Sequence, residues 1–259
     1  IVVRGEGEET FLRFVESLSD ESVNLDQVNG ISFKDSEGEF ISTPDRILIN
    51  DLDLLPIPKR ELILGFEDYT AEQLGWIMTS RGCPYDCSFC NAKAMWTRKV
   101  RFSSLSKVME ELCYLKKVFK ITNFTFMDDS FTVNRQRVLE FCKMLNDNEN
   151  KITWSCLTRA DLIDEDVISV MKAAGCTKVD IGIESGNERI QKIINKGIVL
   201  DDLRNVSRIL RKNGIFWTGF FMMGFPTETK GEILETLAFM KEIKPSWAYL
   251  SVFTPYPGT

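Results

Sequence analysis

Arg81-Gly82-Cys83-Pro84-Tyr85-Asp86-Cys87-Ser88-Phe89-Cys90 is the stretch on which the reading of this chain turns. Three cysteines sit within eight residues, spaced C-x3-C-x2-C. Cys113, Cys142, Cys156 and Cys176 stand alone. Three thiolates on one short loop can each take an iron of a cubane cluster, because such clusters are held by cysteine sulfur. The fourth iron then has no nearby protein ligand and stays open to an exogenous one. Gly82 and Pro84 favour the bent path that wrapping requires. A zinc site normally asks for four nitrogen or sulfur ligands, and no second cysteine pair or histidine supplies the fourth. A thioredoxin-like C-x-x-C would leave Cys83 unexplained.

The loop follows a β-rich run, Gly75–Thr79, and from there strands and helices alternate. Strand-like runs recur at Ile121–Met127, Ile152–Leu157, Thr177–Ile183, Ile215–Met223 and Trp247–Phe253. Between them lie amphipathic helical patterns at Ser103–Phe119, Asn134–Asn146, Asp164–Ala174, Asp201–Asn213 and Thr229–Ile243. Gly175, Gly214 and Pro245 stand where those last three should stop. Strict alternation argues for an α/β fold with a parallel sheet. Six units with no glycine-rich dinucleotide fingerprint after the first strand favour a (β/α)6 partial TIM-type barrel over a doubly wound sheet. Functional groups of such a barrel belong at the C-terminal ends of its strands. Those exits carry Asp128-Asp129-Ser130, Thr158-Arg159, Glu184-Ser185-Gly186, Met223-Gly224-Phe225-Pro226 and Tyr256-Pro257-Gly258.

The chain has 259 residues and a net charge of -6, with 44% hydrophobic and 27% charged residues. That composition is ordinary for a globular protein. The acidic balance counts against a broad nucleic-acid face, and no apolar run is long enough to span a bilayer. There is no histidine, which excludes a Ser-His-Asp triad, a Cys-His protease, an H-E-x-x-H zinc site and any imidazole base. An odd cysteine total with one tight cluster suits a reducing cytoplasm better than a disulfide framework. The chain opens at Ile1 without a Met and stops just after Pro-Tyr-Pro-Gly, so it reads as a fragment of something longer.

The C-x3-C-x2-C spacing with an aromatic, Phe89, before its last cysteine resembles the signature of radical S-adenosylmethionine (SAM) enzymes, from about Trp76 to the end. The resemblance implies a [4Fe-4S] cluster on Cys83, Cys87 and Cys90, whose open iron takes the amino and carboxylate groups of SAM. An electron donor such as flavodoxin or ferredoxin reduces the cluster, and a 5′-deoxyadenosyl radical then abstracts hydrogen from a small-molecule substrate. Asp128 and Asp129 stand where the family has a glycine-rich segment near the SAM amino group, so they either accept from that ammonium or cap a helix. Glu184, followed by Ser185, either accepts the ribose hydroxyls or pairs with Arg159 or Lys178. Arg159 either clamps the SAM carboxylate or pairs with Asp161 or Asp128. Met223 and Gly224 place a backbone turn near the adenine. Lys93, Arg98, Lys99 and Arg101 either offset cluster and cofactor charge or form a solvated face. The four lone cysteines are expected as buried, inert thiols.

Residues 1–20 begin with a strand, a Gly5-Glu6-Gly7-Glu8 turn and a helix, and residues 21–72 hold a hairpin and a Pro-containing linker. Ahead of the barrel at 73–259, this resembles the junction of cobalamin-binding radical SAM enzymes. On that resemblance residues 1–20 are the tail of a Rossmann-like cobalamin domain lying upstream. The usual Asp-x-His-x-x-Gly motif is absent, so cobalamin rests on the junction. Methylation or ring closure is the chemistry implied. The rivals are a methylthiotransferase acting on tRNA or protein, and a non-catalytic iron–sulfur or zinc module.

Overall fold

Apolar residues at helical and strand spacing decide the layers of this molecule, described by a computed structural model for residues 1–19, 24–147, 151–256 and 259. The Pro257-Gly258 turn and the expected boundary at residue 20 lie outside the described residues. In the N-terminal part, β1 (Val2–Val3) leads through the Gly5–Gly7 turn into α1 (Gly7–Ser19), and β2 (Ile31–Lys34) and β3 (Phe40–Ser42) form a hairpin. β1 pairs antiparallel with β2. One small sheet therefore joins segments from both sides of residue 20. Val28, Ile31 and Phe33 form its core.

α2 (Ala71–Leu74) then enters the main sheet at β4 (Trp76–Ile77), followed by β5 (Ser80–Arg81), α3 (Ala92–Trp96) and β6 (Arg101–Phe102). The alternation continues through α4 (Leu105–Phe119), β7 (Asn123–Phe126), α5 (Arg135–Asp147), β8 (Thr153–Thr158), α6 (Glu165–Ala173) and β9 (Cys176–Glu184). It ends with α7 (Glu188–Ile193), α8 (Leu200–Lys212), β10 (Phe216–Met223), α9 (Lys230–Ile243) and β11 (Trp247–Val252). Helix starts are set by side-chain caps: Ser104, Asp164 and Thr229 each accept an N–H from the first turn.

The six-stranded sheet runs β11-β10-β9-β8-β7-β4, parallel throughout, and its order follows the sequence without a reversal. A doubly wound sheet reverses at a switch point. Without one, right-handed crossovers place the connecting helices on the same side, and the sheet curls into an open barrel. On that helix-covered side, Phe126, Phe131, Phe141 and Trp154 interlock, with Phe126 5.6 Å and Phe141 5.8 Å from Trp154 between ring centroids. Trp154 is fully buried, and its indole N–H donates to the Ala174 carbonyl at 2.8 Å. Truncating such a ring costs about 3–5 kcal/mol.

Candidate active site

The cysteine loop leaves β5 through Gly82, whose φ of +105° and contact with the other leg of the loop both demand glycine. A Cβ there would stand 2.4 Å from the Lys99 carbonyl oxygen. Cys83 and Cys87 are half-buried, Cys90 is exposed, and none of the three is in a disulfide. Burial pushes the Cys83 and Cys87 thiols up; Lys196 and Arg159 pull Cys87 partly back, whereas Asp129 pushes Cys83 further. The loop is stitched to the end of α7. Ser88 donates its N–H to Ile194 O at 2.9 Å, and Asn195 Nδ2 donates to Asp86 O at 2.8 Å.

Opposite the loop, β9 delivers Glu184 through a bulge. Phe220 pairs with Gly182 but Phe221 pairs with Glu184, so β9 carries one extra residue. Such bulges re-aim a side chain and recur beside active sites. Glu184 itself has φ +68°, a left-handed conformation that is uncommon for glutamate and is held here by its surroundings. Its Oε1 accepts from Lys196 Nζ at 2.6 Å, with both side chains under 10% exposed. Gly182 makes the room. A Cβ on it would lie 2.5 Å from that carboxylate oxygen and 2.7 Å from the ammonium.

Arg159 lies between the pair and the loop. Its Nε and Nη2 hold Asp161 at 3.0 Å each, Nη2 also donates to Lys196 O at 2.7 Å, and Nη1 is 3.8 Å from Cys87 Sγ. The guanidinium sits 3.5 Å above the Tyr85 ring. Of the two partners expected at the sequence level, Asp161 is the one it takes. The Asp128 carboxylate turns the other way. It is buried and accepts from Thr79 N, Thr79 Oγ1 and Ser80 N at 2.5, 2.6 and 3.1 Å, fixing the chain just ahead of the loop. Asp129 is half-buried, accepts from the Gly82 N–H, and is pushed up by burial.

The remaining rim residues build the frame. Ser185 is fully buried, bonds to Thr236 at 3.1 Å and accepts the Asn187 N–H. Gly224 has φ +86° and donates its N–H to Glu228, which also caps Phe225. Phe89 packs edge-on against Phe225 at 6.0 Å, beside Met222 and Phe253. The Met223 carbonyl accepts from Phe253 N at 2.8 Å. Lys93 and Arg98 pair with Asp86, and Arg101 is buried rather than solvated. Cys142, Cys156 and Cys176 are buried thiols; Cys113 is exposed on α4, against expectation. Lys196 and Tyr85 were not singled out from sequence. Lys196 follows a short helix in a plain Asn-Lys-Gly turn, and nothing local marks it.

Residues 77–240 match the family model for the radical SAM superfamily. The chain belongs to the radical SAM superfamily. It is 36% identical to an uncharacterized methyltransferase of Pyrococcus horikoshii across all of this chain and 56% of that protein. It is 28% identical to the anaerobic magnesium-protoporphyrin IX monomethyl ester cyclase of Rubrivivax gelatinosus, over 99% of this chain and 47% of the cyclase. The chain thus spans about half the length of these relatives. Among solved structures, the radical SAM methyltransferase TsrM of Kitasatospora setae, with cobalamin and a [4Fe-4S] cluster bound, superposes with a TM-score of 0.82. That match has 17% identity, covers 96% of this chain and 50% of TsrM, and speaks to the fold. The cobalamin-dependent radical enzyme OxsB, with aqua-cobalamin and S-adenosylmethionine bound, matches at a TM-score of 0.71 and 25% identity over 91% of this chain and 35% of OxsB.

The loop fits the radical SAM cluster by its donor set. A structural zinc ion asks for four nitrogen or sulfur ligands, whereas this loop offers three thiolates and the chain has no histidine. A cubane instead takes each thiolate on a different iron, and three reduced cysteines spread along one partly exposed loop suit it.

Proposed function

We propose that this chain is the SAM-cleaving core of a cobalamin-dependent radical enzyme that methylates a small molecule or closes a ring on it. The observation that carries the reading is the pairing of one reduced three-cysteine loop with the Glu184–Lys196 ion pair across the same rim. Cys83, Cys87 and Cys90 would hold three irons of a [4Fe-4S] cluster and leave the fourth for SAM. Such a cluster, when bound and reduced, would supply the electron for reductive cleavage of SAM to a 5′-deoxyadenosyl radical.

The chain's own residues would orient that nucleotide. Lys196 fixes one oxygen of Glu184 and leaves the other to accept ribose hydroxyls. The positive charge of Lys196, close to the loop, suits the carboxylate of SAM better than Arg159, whose fork Asp161 already occupies. Asp129, next to Cys83, is the acid of its pair placed to accept from the SAM ammonium. Asp128 serves the backbone. Phe89 and Phe225 would wall the apolar side, with the Met223-Gly224 turn beside the adenine. Buried Arg159, stacked on Tyr85, reaches Cys87 Sγ at 3.8 Å and would steady that part of the loop.

Support for the subclass comes from relatives named as methyltransferases and cyclases and from cobalamin in both structural neighbours. Residues 1–20 would then end an upstream cobalamin domain, 21–72, which share the small sheet with β1, would link it, and 73–259 would form the barrel. A flavodoxin or ferredoxin would supply electrons, no nucleic acid would be bound, and the reducing cytoplasm suits the loop's thiols. No described helix is long and apolar enough to cross a membrane.

The test is anaerobic. Full-length protein should contain iron and acid-labile sulfide, and should release 5′-deoxyadenosine when given SAM and dithionite. Near-stoichiometric zinc without sulfide would overturn the reading; a sulfide-bearing protein that releases no deoxyadenosine would make it a binding module.

A further inference from the structure

The Gly5-Glu6-Gly7-Glu8 turn has no part in the proposed chemistry, yet it reaches the base of the cysteine loop. β5 and β6 pair antiparallel, with Ser80 opposite Phe102 and Arg81 opposite Arg101. Residues 82–100, the three cysteines included, are therefore a loop closed at its neck by that one pair of strands. Like charges directly opposite in a ladder repel. Two arginines at the neck would push it open on their own.

Glu6 sits against both. Its Oε1 accepts from Arg81 Nη1 at 2.8 Å and from Arg101 Nη1 at 2.9 Å. Its Oε2 accepts from Arg101 Nη1 at 2.9 Å and from the Ile49 N–H at 2.6 Å. Glu8 takes the other terminal nitrogen of Arg81, and the Arg81 guanidinium lies 5.3 Å over the ring of Trp96, from the loop's returning leg. The side chains of Glu6 and Arg101 are 1% and 3% exposed, so salt and water screen this contact little. Arg81 is two residues from Cys83, whereas Glu6 comes from the small N-terminal unit.

We propose that Glu6 is a positioning residue for the cysteine loop: by neutralising the Arg81–Arg101 neck it keeps Cys83 and Cys87 in place only while the N-terminal segment is seated. The functional meaning rests on reading residues 83–90 as the cluster loop. The geometry of the neck does not.

The experiment compares full-length wild type with Glu6→Gln, which keeps the shape and removes the charge. In cluster-free protein, iodoacetamide alkylation is followed residue by residue by mass spectrometry, with exposed Cys113 on α4 as the reference. Loss of a charged hydrogen bond at this site should speed alkylation of Cys83 and Cys87 about tenfold, with Cys113 unchanged and Glu6→Asp between the two. In the loaded protein the same variant should lose iron faster to a chelator. A lowered melting temperature with unchanged Cys83 and Cys87 rates would overturn the proposal, because a purely structural ion pair behaves that way. If Glu6→Gln does not fold, Glu8→Gln removes only the outer carboxylate on Arg81 and should give a smaller acceleration at Cys83, whose absence would overturn the proposal equally. Failure to find iron and sulfide in wild type would end the function proposed above and leave the alkylation result standing.

Discussion

The helix-covered face of the parallel sheet and the rim beyond its strand ends are built from opposite materials. The helix-covered face is a lattice of large apolar rings, Phe124, Phe126, Phe141, Trp154, Trp217 and Phe221, all buried. The rim is a set of charges held two and three at a time: Glu184 by Lys196, Arg159 by Asp161, Arg81 and Arg101 by Glu6. The first face derives its strength from area and packing density, which tolerate little change of volume. The second depends on each charge having its partner, because an unpaired buried charge costs more than the pair returns. Stability and chemistry are thereby assigned to different regions of the same fold.

That division can be broken at its extremes first. Cys87→Ala should abolish deoxyadenosine release, a loss beyond the roughly 100-fold that removing an outer partner of a metal ligand costs, while the denaturation midpoint stays near wild type. Trp154→Ala should do the reverse. It should destabilise by about 3–5 kcal/mol in a denaturant titration, with cluster content per folded molecule unchanged. If either variant moved both readouts together, the two regions would not be separable.

A finer cut concerns the buried ion pair. Lys196→Met leaves Glu184 charged and alone and should cost about 3–5 kcal/mol of stability. Adding Glu184→Gln should recover most of that loss without recovering SAM cleavage, a double-variant cycle read by chemical denaturation and by product assay. Additive losses would show that the pair is not coupled. The smallest effect is one of pH. Burial pushes the Glu6 carboxyl up, but Arg101, Arg81 and the Ile49 N–H together hold it below its ordinary value of 4.5. A carboxyl lowered by folding stabilises above its unfolded value and loses that contribution as pH falls through the folded one. Melting temperature should therefore drop below about pH 4.5, and the drop should be shallower in Glu6→Gln.

Sequence alone displayed the alternation of six strands and their helices, because periodicity is a local property. Gly175 shows why it worked: its φ of +93°, with a Cβ site 2.2 Å from the Ile152 carbonyl oxygen, is legible as a glycine after a helical run. The cysteine loop was legible by spacing for the same reason. The partners of the rim charges were not. Asp128 is spoken for by Thr79 and Ser80, and Arg81 by Glu6, across dozens of residues of intervening chain. Tertiary pairing brings them together: β4 alongside β7 for Asp128, and the N-terminal turn seated on β5 for Arg81. Cys113 was misplaced because α4 turns it outward, past the stripe of Val108, Met109, Leu112 and Leu115 that meets the core.

Gly182 carries the longest consequence. In a randomised library of this barrel, codon 182 should be enriched in glycine among functional clones, because even an alanine would meet the tips of two oppositely charged side chains and push the pair out of place. Redesign of this scaffold for new substrates should therefore begin at the neighbours of that position along the strand.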